Sequence, residues 1–300
     1  MTTVFDHPED ITLPGGPIRL YRGGPALGPP VVLLHGAMYD QAPLLWRHVM
    51  PRLAASRDVV AVDLPRHGGS RPWTGVLDQA RLEEVLDAVL DHVADRAGAE
   101  RVHLVGLSMG GGLALGYALN RPGRVAGLVV SAPGGIDDVR PWQFLTWLCL
   151  RLPGVLRWSA AALAAYPGLL RASLARSLAA GERTPGFAEL VRIVEAEAEG
   201  KRRCRERVVD DWQITAYGPR RMRLNLLPRL PDLAVPSLWL WGRRDPLVSE
   251  RAMRRAVAAA PGARLEILED AGHVAPLDRP AEFARLVAGF LDEVDARRTG

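Results

Sequence analysis

"VHLVGLSMGGGLALGYAL", residues 102–119, joins one apolar run to another through a serine flanked by glycines. The first run is short and rich in β-branched residues, as a buried strand is; the second reads as a helix. Ser108 stands at the joint, with Gly106 before it and Gly110 after it. A sharp strand-to-helix turn strains the serine backbone and brings strand and helix so close that flanking Cβ atoms would collide; glycine removes them. The turn lifts the hydroxyl above the C-terminal edge of a sheet. The helix starting near Met109 aims its unsatisfied N–H groups and positive dipole end at the same place. A nucleotide-binding glycine turn would carry G-x-G-x-x-G, which Leu107-Ser108-Met109 do not match.

Working outward, the same alternation recurs. "VVLLHG" (31–36), "DVVAVDLP" (58–65), "VAGLVVSAP" (125–133), "SLWLWG" (237–242) and "ARLEILED" (263–270) are short apolar runs ending in Gly, Pro or Asp, as buried strands do. Amphipathic runs lie between them. "LDQARLEEVLDAVLDHVADRAG" (77–98) keeps Leu82, Val85, Leu86, Val89 and Val93 on one face and ends in Gly98, a helix C-terminal signal. Strands alternating with helices predict an α/β fold: a mostly parallel twisted sheet covered by helices on both faces. One segment breaks the pattern. From about Gly135 to Pro219 no strand is predicted, and Pro-Gly pairs at 153–154 and 167–168 punctuate short helical runs that carry Trp142, Trp147, Trp158 and Trp212. The expected organisation is a core of residues 1–134 and 220–300 with a helical lid, residues 135–219, inserted into it.

Bulk properties narrow the function classes. The chain has 300 residues, 48% hydrophobic and 24% charged, with a formal net charge of +4, which is ordinary for a globular protein with a sizeable core. Lys201 is the only lysine, and the densest basic run, "GKRRCRERVVDDW" (200–212), ends in two aspartates. Acids are interspersed with the arginines, so no nucleic-acid partner is expected. No apolar stretch approaches the ~20 residues of a membrane helix, and "MTTVFDHPED" at the N-terminus lacks the form of a secretory signal. A cytoplasmic protein, monomer or homodimer, without membrane insertion is expected. Cys149 and Cys204 show no zinc spacing and are expected as reduced thiols. No metal or cofactor pattern is present.

A serine hydroxyl is a poor nucleophile unless a base takes its proton. His273, in "DAGHVAPLDRP" (270–280), follows the last predicted strand and so falls on the same sheet edge as Ser108. His7, His48, His92 and His103 read as structural or solvated, and His35 and His67 lie on edge loops. The acid that orients the base is expected between serine and histidine in chain order. Asp245, in "WGRRDPLV" (241–248), meets that condition; Asp137 and Asp138, after an earlier strand, compete with it.

Five motifs in this order, "LLHG" (33–36), "DLPRHGGS" (63–70), "GLSMGG" (106–111), "WGRRDPLV" (241–248) and "DAGHVAPLDRP" (270–280), resemble those of the α/β-hydrolase superfamily over nearly the whole chain. The resemblance implies Ser108 as nucleophile, His273 as base and Asp245 as orienting acid. It also implies an oxyanion hole from the backbone N–H groups of Met109 and Ala37, with His35 structural and His67 and Asp63 holding their loop. The chain departs from the family's commoner D-x-P-G-H-G-x-S at Arg66, where glycine often stands. Serine at the elbow argues against the dehalogenases and epoxide hydrolases of this fold, which carry aspartate there.

The expected activity is cofactor-free hydrolysis of a small or medium hydrophobic carboxylic ester through an acyl-serine. A C–C hydrolase acting on a vinylogous diketone is the alternative, although "HGAMYD" (35–40) lacks the polar glycine-rich form of that group. A non-catalytic binding member of the fold would usually have lost part of the triad, whose members are all present. Met38 and Tyr39 are expected to line the substrate pocket, as are Trp142 and Trp147, with Phe144, Trp158 and Tyr166 as further aromatic candidates.

Overall fold

The computed structural model describes residues 4–152, 154, 156 and 165–299. Eight strands form one sheet: β1 (Glu9–Leu13), β2 (Gly16–Gly23), β3 (Val31–Leu34), β4 (Val59–Asp63), β5 (Val102–Leu107), β6 (Val125–Ser131), β7 (Ser237–Gly242) and β8 (Arg264–Leu268). Their order across the sheet is β1-β2-β4-β3-β5-β6-β7-β8. From β4 to β8 every pairing is parallel. All six strands expected from the apolar runs are present.

The antiparallel edge formed by β1 and β2 was not anticipated. Its signal is the alternation of Ile11 and Leu13, then Ile18 and Leu20, around Pro14-Gly15-Gly16-Pro17. Half-buried strands that alternate apolar with polar residues carry a weaker apolar signal than central ones, which are buried on both faces.

The central strands are buried throughout because both faces of the sheet are covered. Val32 and Leu34 point into one apolar cluster with helix α1 (Gln79–Ala97) and helix α2 (Met109–Asn120). Val31 and Leu33 point into the other, which holds Phe283, Val287 and Leu291 of the final helix (Pro280–Thr299). Helix α1 has the expected apolar stripe. Asp78 accepts the Arg81 N–H at its start, and Gly98 closes it with a φ of 61°, the left-handed turn that a helix end favours in glycine.

Between β6 and β7 the described residues form helices α3 (Gln143–Arg151), α4 (Pro167–Ser177), α5 (Phe187–Arg203) and α6 (Asp211–Ala216), and no strand of the sheet. Leu170, Leu178, Phe187, Leu190 and Val194 make a third apolar cluster there, closed from below by Leu44 and Leu277. Trp212 of α6 leaves that cluster and packs into the main core, its indole N–H donating to Gln79. The helical excursion is thus stitched to the sheet layer at its end. Among the described residues, no helix is long and apolar enough to cross a membrane.

Candidate active site

The turn after β5 has the strained form its glycines suggest. Ser108 adopts φ 53° and ψ −112°, and its N–H donates to Ser131 O at 2.9 Å. A Cβ on Gly106 would lie 2.4 Å from Gly110 O, and one on Gly110 would lie 2.4 Å from His35 O. Side chains at either position would push α2 off the sheet. Met109, buried, is the first residue of that helix.

His273 and Asp245 meet at the same edge. Asp245 Oδ2 lies 2.9 Å from His273 Nδ1. Asp245 Oδ1 accepts the N–H groups of Leu247 at 2.7 Å and Val248 at 3.1 Å. The carboxylate is therefore fixed by its own loop, and it holds the imidazole so that Nε2 is left for another partner. Asp137 and Asp138 are engaged elsewhere, with Arg140 at 3.6 Å and Arg221 at 3.3 Å.

Ser108 and His273 open onto one cavity of about 180 Å³. Ala37, Met38 and Tyr39 line it from the loop after β3, and Leu170, Leu174 and Val194 line it from α4 and α5. Leu247, Val274 and Leu277 complete a largely apolar wall, and no arginine or lysine is among the lining residues described. Met38 and Tyr39 thus stand where the sequence suggests. Trp142 and Trp147 do not line this cavity. Trp142 is 80% exposed, and Trp147 packs against Phe144, with ring centroids 5.6 Å apart. Phe144 and Tyr166 are exposed as well, and Trp158 lies outside the described residues. Leucines and a valine, which a search for aromatic residues passes over, supply the wall that the tryptophans were expected to give.

The remaining edge histidines are structural in different ways. His35 is fully buried; its Nε2 accepts the Leu64 N–H at 2.9 Å, so Nδ1 donates to Gly36 O at 2.7 Å. Burial holds it well below the usual imidazole range, a neutral ring tying two loops together. Each ring nitrogen of His67 faces an acceptor: Asp40 O at 2.8 Å and Asp210 Oδ1 at 3.1 Å. Asp63 is buried and accepts from Ala42, Gly69 and Tyr21, and burial raises its pKa to about 6. Arg66, with a φ of 67°, takes the left-handed conformation that suits the glycine often found there. Its guanidinium turns to Asp211 at 2.7 Å and Gly75 O at 2.7 Å, away from the cavity.

Two carboxylates around the loop after β3 escaped sequence reading. Asp40 accepts from Gly36 N at 2.7 Å and Gln41 N at 2.9 Å, and burial pushes its pKa up to about 7. Asp210, at the start of α6, reaches back to the core: its Oδ2 accepts the Met38 N–H at 2.6 Å. Its Oδ1 pairs with Lys201 Nζ at 3.1 Å as well as with His67. Burial would raise the pKa of Asp210, but Lys201 and His67 outweigh it and hold the carboxyl well below the usual range. Lys201 is 1% exposed, and beside it Glu197 is buried against Arg71. The sole lysine of the chain and the paired aspartates of "VVDDW" (208–212) were the available signals. The basic run reads as a solvated surface until the fold puts Lys201 inside. Among the described residues no three His, Cys, Asp or Glu side chains converge as a metal site would require.

Comparison with known proteins places this geometry in a family. A model described as alpha/beta hydrolase family matches residues 31–286. A 2-hydroxy-6-oxononadienedioate/2-hydroxy-6-oxononatrienedioate hydrolase of Cupriavidus pinatubonensis is 30% identical over 280 residues, spanning 87% of this chain and 86% of that one. A dihydrolipoyllysine-residue acetyltransferase component of an acetoin cleaving system from Pseudomonas putida is 29% identical over 286 residues, 95% of this chain and 69% of that one. Among solved structures, a 2-hydroxy-6-oxo-6-phenylhexa-2,4-dienoate hydrolase from a Rhodococcus species superposes with a TM-score of 0.75 at 23% identity, covering 95% of this chain and 98% of that one. A carboxylesterase of Bacillus subtilis superposes at 0.73 and 22% identity, covering 95% and 91%. The chain belongs to the alpha/beta hydrolase family.

Proposed function

We propose that the protein is a serine hydrolase that cleaves hydrophobic carboxylic esters through an acyl-serine intermediate. The observation that carries this reading is the 2.9 Å contact between His273 Nδ1 and Asp245 Oδ2, beside a strained Ser108 that opens onto the same apolar cavity. His273 takes the Ser108 proton as Oγ attacks the ester carbonyl. The negative charge that develops on the carbonyl oxygen is met by the N–H groups of Met109 and Ala37. His273 then gives the proton to the departing alcohol; in the second half-reaction it takes a proton from the water that attacks the acyl-serine and passes it to Ser108 Oγ as the bond to the acyl carbon breaks and the acid leaves. Asp245 orients the ring and stabilises the imidazolium that forms.

The curated relatives keep a second reading in play, C–C bond hydrolysis, because the same triad serves that reaction. The substrate named for the Cupriavidus relative is a dioate, which carries two carboxylates. The cavity lining described here is largely leucine, valine and methionine, with Asp40, Ser173, Ser177 and Gln213 as further polar members and no arginine or lysine, so a neutral ester suits it better than a dioate. Two measurements test the reading. A fluorophosphonate should label the protein at Ser108 alone. Turnover of p-nitrophenyl esters of rising chain length should exceed turnover of a vinylogous diketone acid. Faster cleavage of the diketone acid would reverse the assignment, and failure to label would end both.

A further inference from the structure

Three consecutive residues near the end of the excursion grip three different parts of the core. Trp212 packs into the main apolar cluster. Asp211 pairs with Arg66 at 2.7 Å and accepts the Leu77 N–H at 3.0 Å, which ties it to the chain between β4 and α1. Asp210 reaches the loop after β3, where its Oδ2 accepts the Met38 N–H at 2.6 Å. The first two attachments fix where the third falls, so the Asp210 carboxylate is presented to that loop from a firm support.

The loop it meets carries Ala37, the oxyanion donor of the acyl-serine reading. His35 Nδ1 donates to Gly36 O at 2.7 Å. In a trans peptide the N–H points opposite to the carbonyl, so this bond leaves the Ala37 N–H directed the other way. The next peptide is held at both ends: Ala37 O accepts the Asp40 N–H at 3.3 Å, and the Met38 N–H is given to Asp210. Met38 has a φ of 67°, a conformation that a residue with a side chain takes at a cost. Asp210 is fixed in turn. Its Oδ1 lies 3.1 Å from Lys201 Nζ and 3.1 Å from His67 Nε2, and His67 Nδ1 faces Asp40 O of the same loop at 2.8 Å. Enclosing a lysine and a carboxylate costs desolvation that apolar side chains would avoid. Apolar packing attaches the excursion to the sheet at Trp212; it cannot aim an acceptor at one backbone N–H. Asp210, Lys201 and His67 are not among the described lining of the Ser108 cavity, so they act on the loop and not on a substrate there.

We propose that Asp210, held by Lys201 and His67, is a positioning residue for the oxyanion hole: from the helical excursion it sets the Ala37–Met38 peptide, and with it the direction of the Ala37 N–H. The inference rests on the acyl-serine reading above. The excursion then supplies part of the transition-state geometry as well as a wall of the cavity. Its effect falls on kcat and not on KM, because the oxyanion exists only once the carbonyl is attacked.

The test compares two variants of the full chain that differ in whether residue 210 can accept a hydrogen bond. Lys201→Met with Asp210→Asn keeps an acceptor for the Met38 N–H in a neutral network; Lys201→Met with Asp210→Leu removes it. Both lose the ion pair, so a merely structural role would lower thermal stability and leave kcat alike in the folded proteins. On p-nitrophenyl esters, kcat of the leucine variant should lie ~10- to 100-fold below that of the asparagine variant, with KM within about 2-fold. Fluorophosphonate labelling of Ser108, which also puts negative charge on an oxygen, should slow by a similar factor. Amide hydrogen exchange over residues 36–41 should be ~10-fold faster or more in the leucine variant. If that variant does not fold, Asp210→Glu decides: it keeps a charge opposite Lys201 but moves the oxygens outward by one methylene, and the same fall in kcat is expected. Equal kcat and equal labelling rates in folded variants, beside an active parent, would overturn the proposal and leave the ester reading intact. A parent that labels at Ser108 but hydrolyses no ester would end the ester reading alone, and the labelling rates and amide exchange would then decide the role of Asp210.

Discussion

Two residues that line the cavity, Ser108 and Met38, take positive φ values, of 53° and 67°. A non-glycine residue at φ 53° and ψ −112° costs on the order of 1–3 kcal/mol, and it persists because the strand before it and the helix after it over-determine the turn. If Ser108, His273 and Asp245 act as a unit, Ser108→Ala and His273→Ala should each abolish nearly all ester turnover. The double variant should be little worse than either single one, as steady-state kinetics on purified folded protein will read. Near-normal turnover by Ser108→Ala would remove the triad assignment. Asp40 gives a second prediction at this scale. Its carboxyl ionises near 3.9 in an unfolded chain and at about 7 in the fold, because burial disfavours its charged form. A raised carboxyl pKa contributes stability below about pH 4 that is lost as pH climbs through about 7, by an amount on the order of 4 kcal/mol. The stability of Asp40→Asn relative to the parent should therefore improve between pH 4 and pH 8, as denaturation at a series of pH values will show. A constant difference across that range would mean that Asp40 ionises normally.

Among the elements, α6 joins the excursion to the sheet edge that carries Ser108 and His273. Asp210 at its start holds the Met38 N–H, one residue from the proposed oxyanion donor Ala37, and is itself held by His67 and Lys201. Removing one partner of a buried pair leaves the other charge unmatched, at a cost of about 3–5 kcal/mol. Lys201→Met should therefore destabilise strongly, and Lys201→Met with Asp210→Asn should cost less than the sum of the singles, as urea denaturation will measure. Additive losses would show that the two side chains are not coupled. The lowered pKa of Asp210 works in the opposite sense to that of Asp40. Its stabilisation is present above the unfolded carboxyl range and is lost as pH falls below about 4. None of this was legible beforehand, whereas six of the strands were, and so was the sheet edge on which Ser108, Asp245 and His273 fall. The difference is physical. Strand and elbow signals are local, written in apolar runs and in glycines a few residues apart. Glu197 and Asp210 gain their meaning from contacts with Arg71, His67 and Met38 more than 120 positions away, and an Arg-rich run gives no sign that Lys201 is the cation buried beside them. The β1–β2 edge fell between these cases, with a local pattern that alternates apolar and polar residues instead of forming an apolar run.

For the molecule as a whole, the cavity is shared between the sheet edge and the helical excursion. Gly36, Ala37, Ser108 and His273 reach the cavity from loops at one end of the strands, and Leu170, Leu174 and Val194 reach it from helices above. Groups on the sheet edge are held by a core buried on both faces. The opposing wall rests on a smaller apolar cluster of its own. A change in that wall should thus alter which acyl chain fits while leaving the intrinsic reactivity of Ser108 nearly untouched. Leu174 is a suitable position because it lines the cavity and is only partly buried. Leu174→Trp adds bulk without opening a core void and should move the preferred p-nitrophenyl ester toward shorter acyl chains. Labelling by a small phosphonate should change much less. Trp142→Ala is the contrasting variant: its side chain stands in solvent, away from the cavity, so the chain-length profile on dissolved esters should stay as in the parent. If Trp142→Ala shifted the profile and Leu174→Trp did not, the acyl chain would lie along α3 rather than in the cavity beneath α4 and α5.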